Sequence, residues 1–322
     1  MRRSVFWLLD QYAETGETVA RIHATALHQA RLADELGFHA LWLAEHHFMP
    51  LGTAPNPAVV LAAIAQATTR LRVGPAVAVL PMRNPILIAE DYALVDVLSG
   101  GRLNMGVGTG SQAAEFTGMG ADFEGRRAAY DAGLSEICAR WQAASGGVRG
   151  PEGMNVPPVQ MPRPPIYVAT GTDDGAYAAG KAGHSLLTLV SPAMQGLGDV
   201  EARNAAHARG LADGGHAAES AESVVVVFAY VAATEEAAKA TALPAMLNFF
   251  KAAAGIVPPD PDGMYSYLCA SDLALAGTPE QVAAQIERYA AIGVRHLAFV
   301  SRFGGMDAQA AEDSLRALAP AA

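Results

Sequence analysis

Glu45, His46 and His47 follow directly on the apolar run Leu41-Trp42-Leu43-Ala44. Histidine ionises near pH 6.5 when unperturbed, so it takes up and releases protons at physiological pH. The apolar run reads as a buried strand. In a parallel α/β barrel, side chains at the carboxyl end of a strand face the active site. His46 and Glu45 are therefore candidates for proton transfer, with His47 supporting the first histidine or shaping a pocket. A zinc site completed by His184 or His296 would need three or more ligands. No companion spacing supplies them, and no metal is expected.

Two further segments could approach an anion. Gly106–Gly110, which includes Thr109, offers close backbone approach and successive N–H groups. Thr170-Gly171-Thr172 lies between an expected strand and an expected helix, whose amino terminus presents free N–H donors and a favourable dipole. Asp173 and Asp174 would oppose an anion there, and Thr172 or Asp173 could equally serve only as the helix cap. Arg83 and Arg126 are alternative cations. Phe6, Trp7, Phe48, Tyr265, Tyr267 and Phe303 are candidates for an apolar substrate pocket, and 302–306 for a substrate-side loop.

These residues need a scaffold, and the pattern supplies one. Short β-type runs at 5–9, 40–44, 71–80, 102–107, 165–169, 185–190, 223–232 and 296–300 alternate with amphipathic helical stretches. The helices are expected at 18–36, 57–67, 85–98, 124–144, 173–182, 200–211, 234–254, 280–292 and 307–318. Gly37 and the Ser99-Gly100-Gly101 sequence are helix stops. The Gly- and Pro-rich stretch 146–165 reads as a loop, and 255–272 as a Pro-rich insertion. Eight strand–helix alternations without a hairpin signal argue for one α/β domain over residues 1–322, a (β/α)8 TIM barrel with insertions. A doubly wound sheet is the alternative.

The composition agrees. Of 322 residues, 51% are hydrophobic and 17% charged, enough apolar material for a sizeable core. The formal net charge of −10 and the absence of a Lys/Arg cluster disfavour nucleic acid as a partner. No membrane segment or secretory leader is expected. Cys138 and Cys269 have no metal-like neighbours and suit a reduced, cytoplasmic setting.

Three segments together carry a family resemblance: Glu45-His46-His47-Phe48; Arg72-Val73-Gly74-Pro75-Ala76-Val77-Ala78-Val79-Leu80-Pro81 with Asn84-Pro85; and Leu98-Ser99-Gly100-Gly101-Arg102-Leu103-Asn104-Met105-Gly106-Val107-Gly108-Thr109-Gly110. In order and spacing, with Gly277-Thr278-Pro279-Glu280-Gln281-Val282 near the end, the chain resembles the bacterial luciferase-like family of flavin-dependent monooxygenases and deazaflavin-dependent oxidoreductases. The resemblance implies an isoalloxazine at the carboxyl ends of the strands, with His46 as acid/base beside it and Glu45 as its neighbour. It implies a non-proline cis peptide at Ala76-Val77 under the ring, and a phosphate near Thr109, Gly110 and Thr170–Thr172. The family's luciferase branch has an Arg where this chain has Thr109, so hydroxyls, N–H groups or another cation must hold a phosphate here. The activity implied is FMN-dependent monooxygenation through a flavin hydroperoxide. It would use O2, a small organic substrate and reduced FMN from a separate flavin reductase, in a homodimer or higher homo-oligomer. A deazaflavin-dependent hydride transfer and a non-catalytic flavin-binding protein are the alternatives. No dinucleotide fingerprint of the GxGxxG type opens a helix, in keeping with a flavin reduced elsewhere.

Overall fold

In the computed structural model, which describes residues 1–320, parallel strands form a nearly closed barrel with helices packed outside. The strands are β1 (Arg2–Trp7), β2 (Ala40–Leu43), β3 (Arg72–Pro75), β4 (Ala78–Val79), β5 (Met105–Gly108), β6 (Ile166–Ala169), β7 (Ser185–Leu189), β8 (Ser223–Val231), β9 (Ala274–Gly277) and β10 (His296–Val300). Leu41, Trp42 and Leu43 are wholly inaccessible, as a parallel strand covered on both faces should be. β1 pairs with β10 on one side and β2 on the other, and β10 pairs with β8.

The expected third strand is divided. β3 pairs with β2, whereas β4 pairs with β5, and the Ala76–Val77 peptide between them is cis. The ring is therefore the expected eight strands, with the third in two pieces. β9 is additional: it pairs with the end of β8, from Phe228 to Val231, off the main path. The segment 255–272, read above as a Pro-rich insertion, is in fact largely helical and leads into β9.

The helices are α1 (Val19–Glu35), α2 (Pro57–Ala67), α3 (Pro85–Ser99), α4 (Ala113–Met119), α5 (Arg126–Ser145), α6 (Asp173–Lys181), α7 (Leu197–Asp213), α8 (Glu235–Ala254), α9 (Pro261–Ala270), α10 (Pro279–Ala291) and α11 (Ala308–Ala317). Their starts follow local chemistry. Asn56 caps α2 and Asn84 caps α3, each with proline at the first helical position, where no N–H is missed. Thr278 and Gln281 close a reciprocal capping box on α10. Gly100 ends α3 at φ 64°, the left-handed conformation that glycine adopts without steric cost. Among the described residues, no helix is long and apolar enough to cross a membrane.

Two charged side chains, one buried and one half-buried, tie loops to this frame. Asp96, fully buried on α3, accepts from the backbone N–H groups of Val159 (2.7 Å) and Gln160 (2.9 Å), so the Gly- and Pro-rich loop is clamped to the barrel. Arg102 uses all five of its guanidinium N–H groups. They reach Ser99 O (2.7 Å), Leu71 O (2.6 Å), Thr68 Oγ1 (3.0 Å), Ala65 O (2.7 Å) and Thr68 O (3.2 Å). The carbonyls at the ends of α2 and α3 have no intrahelical partner, and this one side chain satisfies several of them. Arg102→Met is expected to lower the unfolding free energy by about 2–4 kcal/mol through those orphaned acceptors. Urea denaturation at neutral pH checks it; a loss within error of zero would show that water replaces the guanidinium without penalty.

Candidate functional site

The carboxyl ends of the barrel strands surround a cavity of about 670 Å³, a volume typical of small-molecule sites. Glu45, His46, Ala76, Val77, Thr109, Gly110, Thr170 and Gly171 all line it. Thr172 does not: its side chain caps α6, accepting from Gly175 N–H at 3.1 Å. None of residues 302–306 lines the cavity either. Arg302 is instead paired with Glu17, at 2.6 Å and 2.8 Å, and Phe303 is fully buried. Of the aromatic candidates, Phe6 reaches the cavity, joined by Phe228 and Phe249.

The rings of His46 and His47, just beyond β2, find different carboxylates. His46 Nδ1 lies 2.9 Å from Glu115 Oε1, and the same oxygen accepts from the His47 backbone N–H at 2.8 Å. Glu45 contacts His47 rather than His46, through Oε1 and the ring Nε2 at 3.3 Å, and its other oxygen accepts from Val79 N–H. The carboxylate beside His46 is therefore not Glu45, its neighbour in sequence, but Glu115, which stands on the short helix α4. Nothing in the Ala113-Ala114-Glu115-Phe116 sequence marks that glutamate locally, since its role depends on a partner 69 residues away. Burial pushes the Glu115 carboxyl up, but the His46 ring and the His47 amide outweigh it and hold it below its ordinary range. An ionised Glu115 is only an acceptor, so His46 carries a proton on Nδ1 and keeps Nε2 for other work.

Glycines bring the walls together. A Cβ on Gly108 would strike the Val77 side chain, and one on Gly110, which sits at φ 76°, would strike Val79 and Phe116. Neither position accepts another residue without a shift. Of the expected cations, Arg83 is engaged with Asp91 (2.7 Å), and the Arg126 guanidinium covers the Phe123 ring (3.8 Å to its centre). Neither lines the cavity. Arg203, on α7, does. It is 8% exposed, and its Nε and Nη1 have no hydrogen-bond partner among the described residues. Its ionic contact among the described residues, Nε to Asp173 Oδ1, is 3.5 Å long. Sequence reasoning passed over Arg203 because it lies within an ordinary amphipathic helix. A flat apolar ring with an anionic tail therefore fits the residues present: apolar side chains, glycine-permitted close approach and an unsatisfied buried guanidinium.

The opposite end of the barrel is closed by polar groups. Ser4 Oγ meets His296 Nε2 at 2.6 Å, and Glu222 Oε2 meets His296 Nδ1 at 3.3 Å and Arg2 Nη1 at 2.7 Å. His39, Glu222 and His296 together offer three metal-type donors, but both ring nitrogens of His296 are already engaged. Burial and the neighbouring His296 lower the His39 pKa to about 4, so His39 is neutral at pH 7.

Because the Glu115 carboxyl is held below its ordinary value of about 4.5, its charged form stabilises the fold fully above that pH. The contribution is lost as pH falls through the lower folded-state value. Glu115→Gln is accordingly expected to cost roughly 1–3 kcal/mol at pH 7, with the deficit relative to the wild type narrowing in acid. Denaturant titrations at neutral pH and below pH 4 read this out, and a pH-independent deficit would refute an ionic role for Glu115.

A sequence-family model described as luciferase-like monooxygenase matches residues 1–296. An uncharacterized protein of Sinorhizobium fredii is 36% identical over 194 residues, 58% of this chain and 56% of the relative, so the chain spans little more than half that relative's length. The oxygenase component of a flavin-dependent trigonelline monooxygenase from Acinetobacter baylyi is 28% identical over 261 residues, 78% of this chain and 71% of the relative. Among solved structures, the monooxygenase RslO1 from Streptomyces bottropensis superposes with a TM-score of 0.90 at 26% identity, covering 99% of this chain and 98% of that one. With the parallel barrel and the lined cavity, these matches show that the chain belongs to the luciferase-like monooxygenase family.

Proposed function

We propose that the protein is the oxygenase of a two-component flavin monooxygenase. It takes reduced FMN from a separate flavin reductase and oxygenates a small, largely apolar organic substrate. The observation that carries this reading is the hydrogen-bonded pair at the cavity wall, His46 against the buried Glu115 carboxylate, whose pKa is lowered. A relative named as an oxygenase component of a flavin-dependent monooxygenase supports the division of labour with a reductase.

When bound, reduced FMN supplies two electrons and two protons, so that one atom of O2 enters the substrate and the other leaves as water. The chain's own residues position, protect and move protons. Ala76 and Val77 offer a flat wall to the ring, and Phe6, Phe228 and Phe249 keep bulk water from the reacting centre. Glu115 fixes the His46 tautomer, which leaves Nε2 to give or accept a proton at the cavity. Its hold on the His47 amide fixes the backbone on which His46 stands.

Anaerobic titration with reduced FMN and with reduced deazaflavin, each followed by air in a stopped-flow spectrometer, tests the reading. FMN binding followed by an oxygen-dependent absorbance transient is the expected result. Deazaflavin binding with no such transient would move the protein to hydride transfer. His46→Gln is expected to bind FMN as the wild type does while slowing oxygenation by about 10²–10⁴-fold. The readout is reductase-coupled gain of one oxygen by substrates from an apolar panel. Wild-type rates in His46→Gln would remove the histidine from the chemistry.

A further inference from the structure

We infer that Arg203, with Thr170, Gly171 and the amino terminus of α6, forms an anion subsite for the phosphate ester at the ribityl end of the flavin. The inference rests on the flavin reading above and assigns a cation to the phosphate in place of the one that Thr109 lacks.

Three observations converge on it. The first is an unsatisfied charge. Arg203 is nine-tenths buried, lines the cavity and has two guanidinium nitrogens without hydrogen-bond partners among the described residues. A buried guanidinium that lacks hydrogen bonds and has only one long ionic contact is costly, so such a group marks a place where an anion would be stabilised. The second is the helix end beneath it. α6 runs nine residues from Asp173, and its first turn presents N–H donors and the positive end of its dipole. Thr170 and Gly171, immediately before it, line the same cavity. The third is rigidity. α6 and α7 pack so closely that a Cβ on Gly180 would strike His207 O and one on Gly210 would strike Tyr177 O. The two helices are therefore held against each other, Arg203 reaches Asp173 at the α6 terminus, and a phosphate between them would meet donors from both helices.

Two carboxylates shape the subsite. Asp173 Oδ1 lies 3.5 Å from Arg203 Nε, beyond hydrogen-bond length, and its side chain is half exposed, free to swing into solvent when a phosphate arrives. Asp199, one turn before Arg203 on α7, also lines the cavity, but its Oδ2 is occupied by the Gln195 N–H at 2.6 Å. Arginine suits the task because its planar fork matches phosphate oxygens in pairs.

The test compares binding of reduced FMN with reduced riboflavin, which share the ring and differ in the phosphate, by anaerobic calorimetry. A deazaflavin with and without its ribityl phosphate forms a second pair. In the wild type, the phosphorylated member is expected to bind roughly ten- to a hundredfold more tightly. Arg203→Gln should erase that preference while leaving the unphosphorylated member unchanged, and Arg203→Lys should restore part of it. Asp173→Asn should strengthen binding of the phosphorylated member alone. An Arg203-dependent preference in either pair supports the subsite, and the pair that shows it names the ring. Equal affinity within each pair in the wild type, or a preference that survives Arg203→Gln, overturns the subsite and leaves the flavin reading standing. Wild-type protein that binds none of the four overturns both. Should Arg203→Gln not fold, as judged by circular dichroism, an unchanged ratio in Asp173→Asn overturns the proposal.

Discussion

A ring of eight parallel strands closes only if both edges of every strand are used, and here the third strand meets that demand by changing neighbours part-way along. Arg72–Pro75 bonds to β2, and Ala78–Val79 bonds to β5. The crossing is crowded. Side chains are excluded at Gly74 by the Asn104 carbonyl, at Gly106 by the Pro75 carbonyl and at Gly108 by Val77, so the neighbouring backbones approach where a Cβ would not fit. One backbone bond anchors the junction, from the Ala76 N–H to Leu43 O at 2.7 Å, immediately before the Ala44-Glu45-His46 sequence. The residues that turn the strand are therefore also the residues that face the cavity. Their place beside Glu45 and His46 follows from closing the barrel.

Much of this was legible because the signals are local. An asparagine followed by proline starts α2 and α3 where expected, and the continuous apolar runs of β2, β8 and β10 fall where fully covered strands should. The strand ends bearing Glu45 and His46, the glycine turn at Thr109 and the Thr170-Gly171 turn all reach one cavity. The departures have a common physical cause. α9 and β9 lie in a segment whose prolines suggest a loop, yet Pro261 sits at the start of a helix, where its missing N–H does no harm. Glu115 and Arg203 act through partners remote in sequence, and no periodicity encodes such a contact. Arg83 and Arg126 looked equally available, and only the fold distinguishes them by giving Arg83 the Asp91 carboxylate and laying Arg126 on Phe123.

The cavity is electrically uneven within a chain that carries a net charge of −10. At one end, the buried Glu115 carboxylate is balanced by a histidine and an amide. At another, the Arg203 guanidinium is poorly balanced, with Asp173 distant and half exposed. Burying a charge is tolerable when hydrogen bonds replace the lost water. Glu115 satisfies that condition from within the fold, and Arg203 leaves it to a guest.

The hydrogen-bonded stopper of Ser4, His296, Glu222 and Arg2 sets the traffic through the barrel. With that end sealed by groups that already satisfy one another, molecules come and go at the carboxyl mouth. A guest lying along the Ala76–Val77 wall and any second molecule would thus share one doorway.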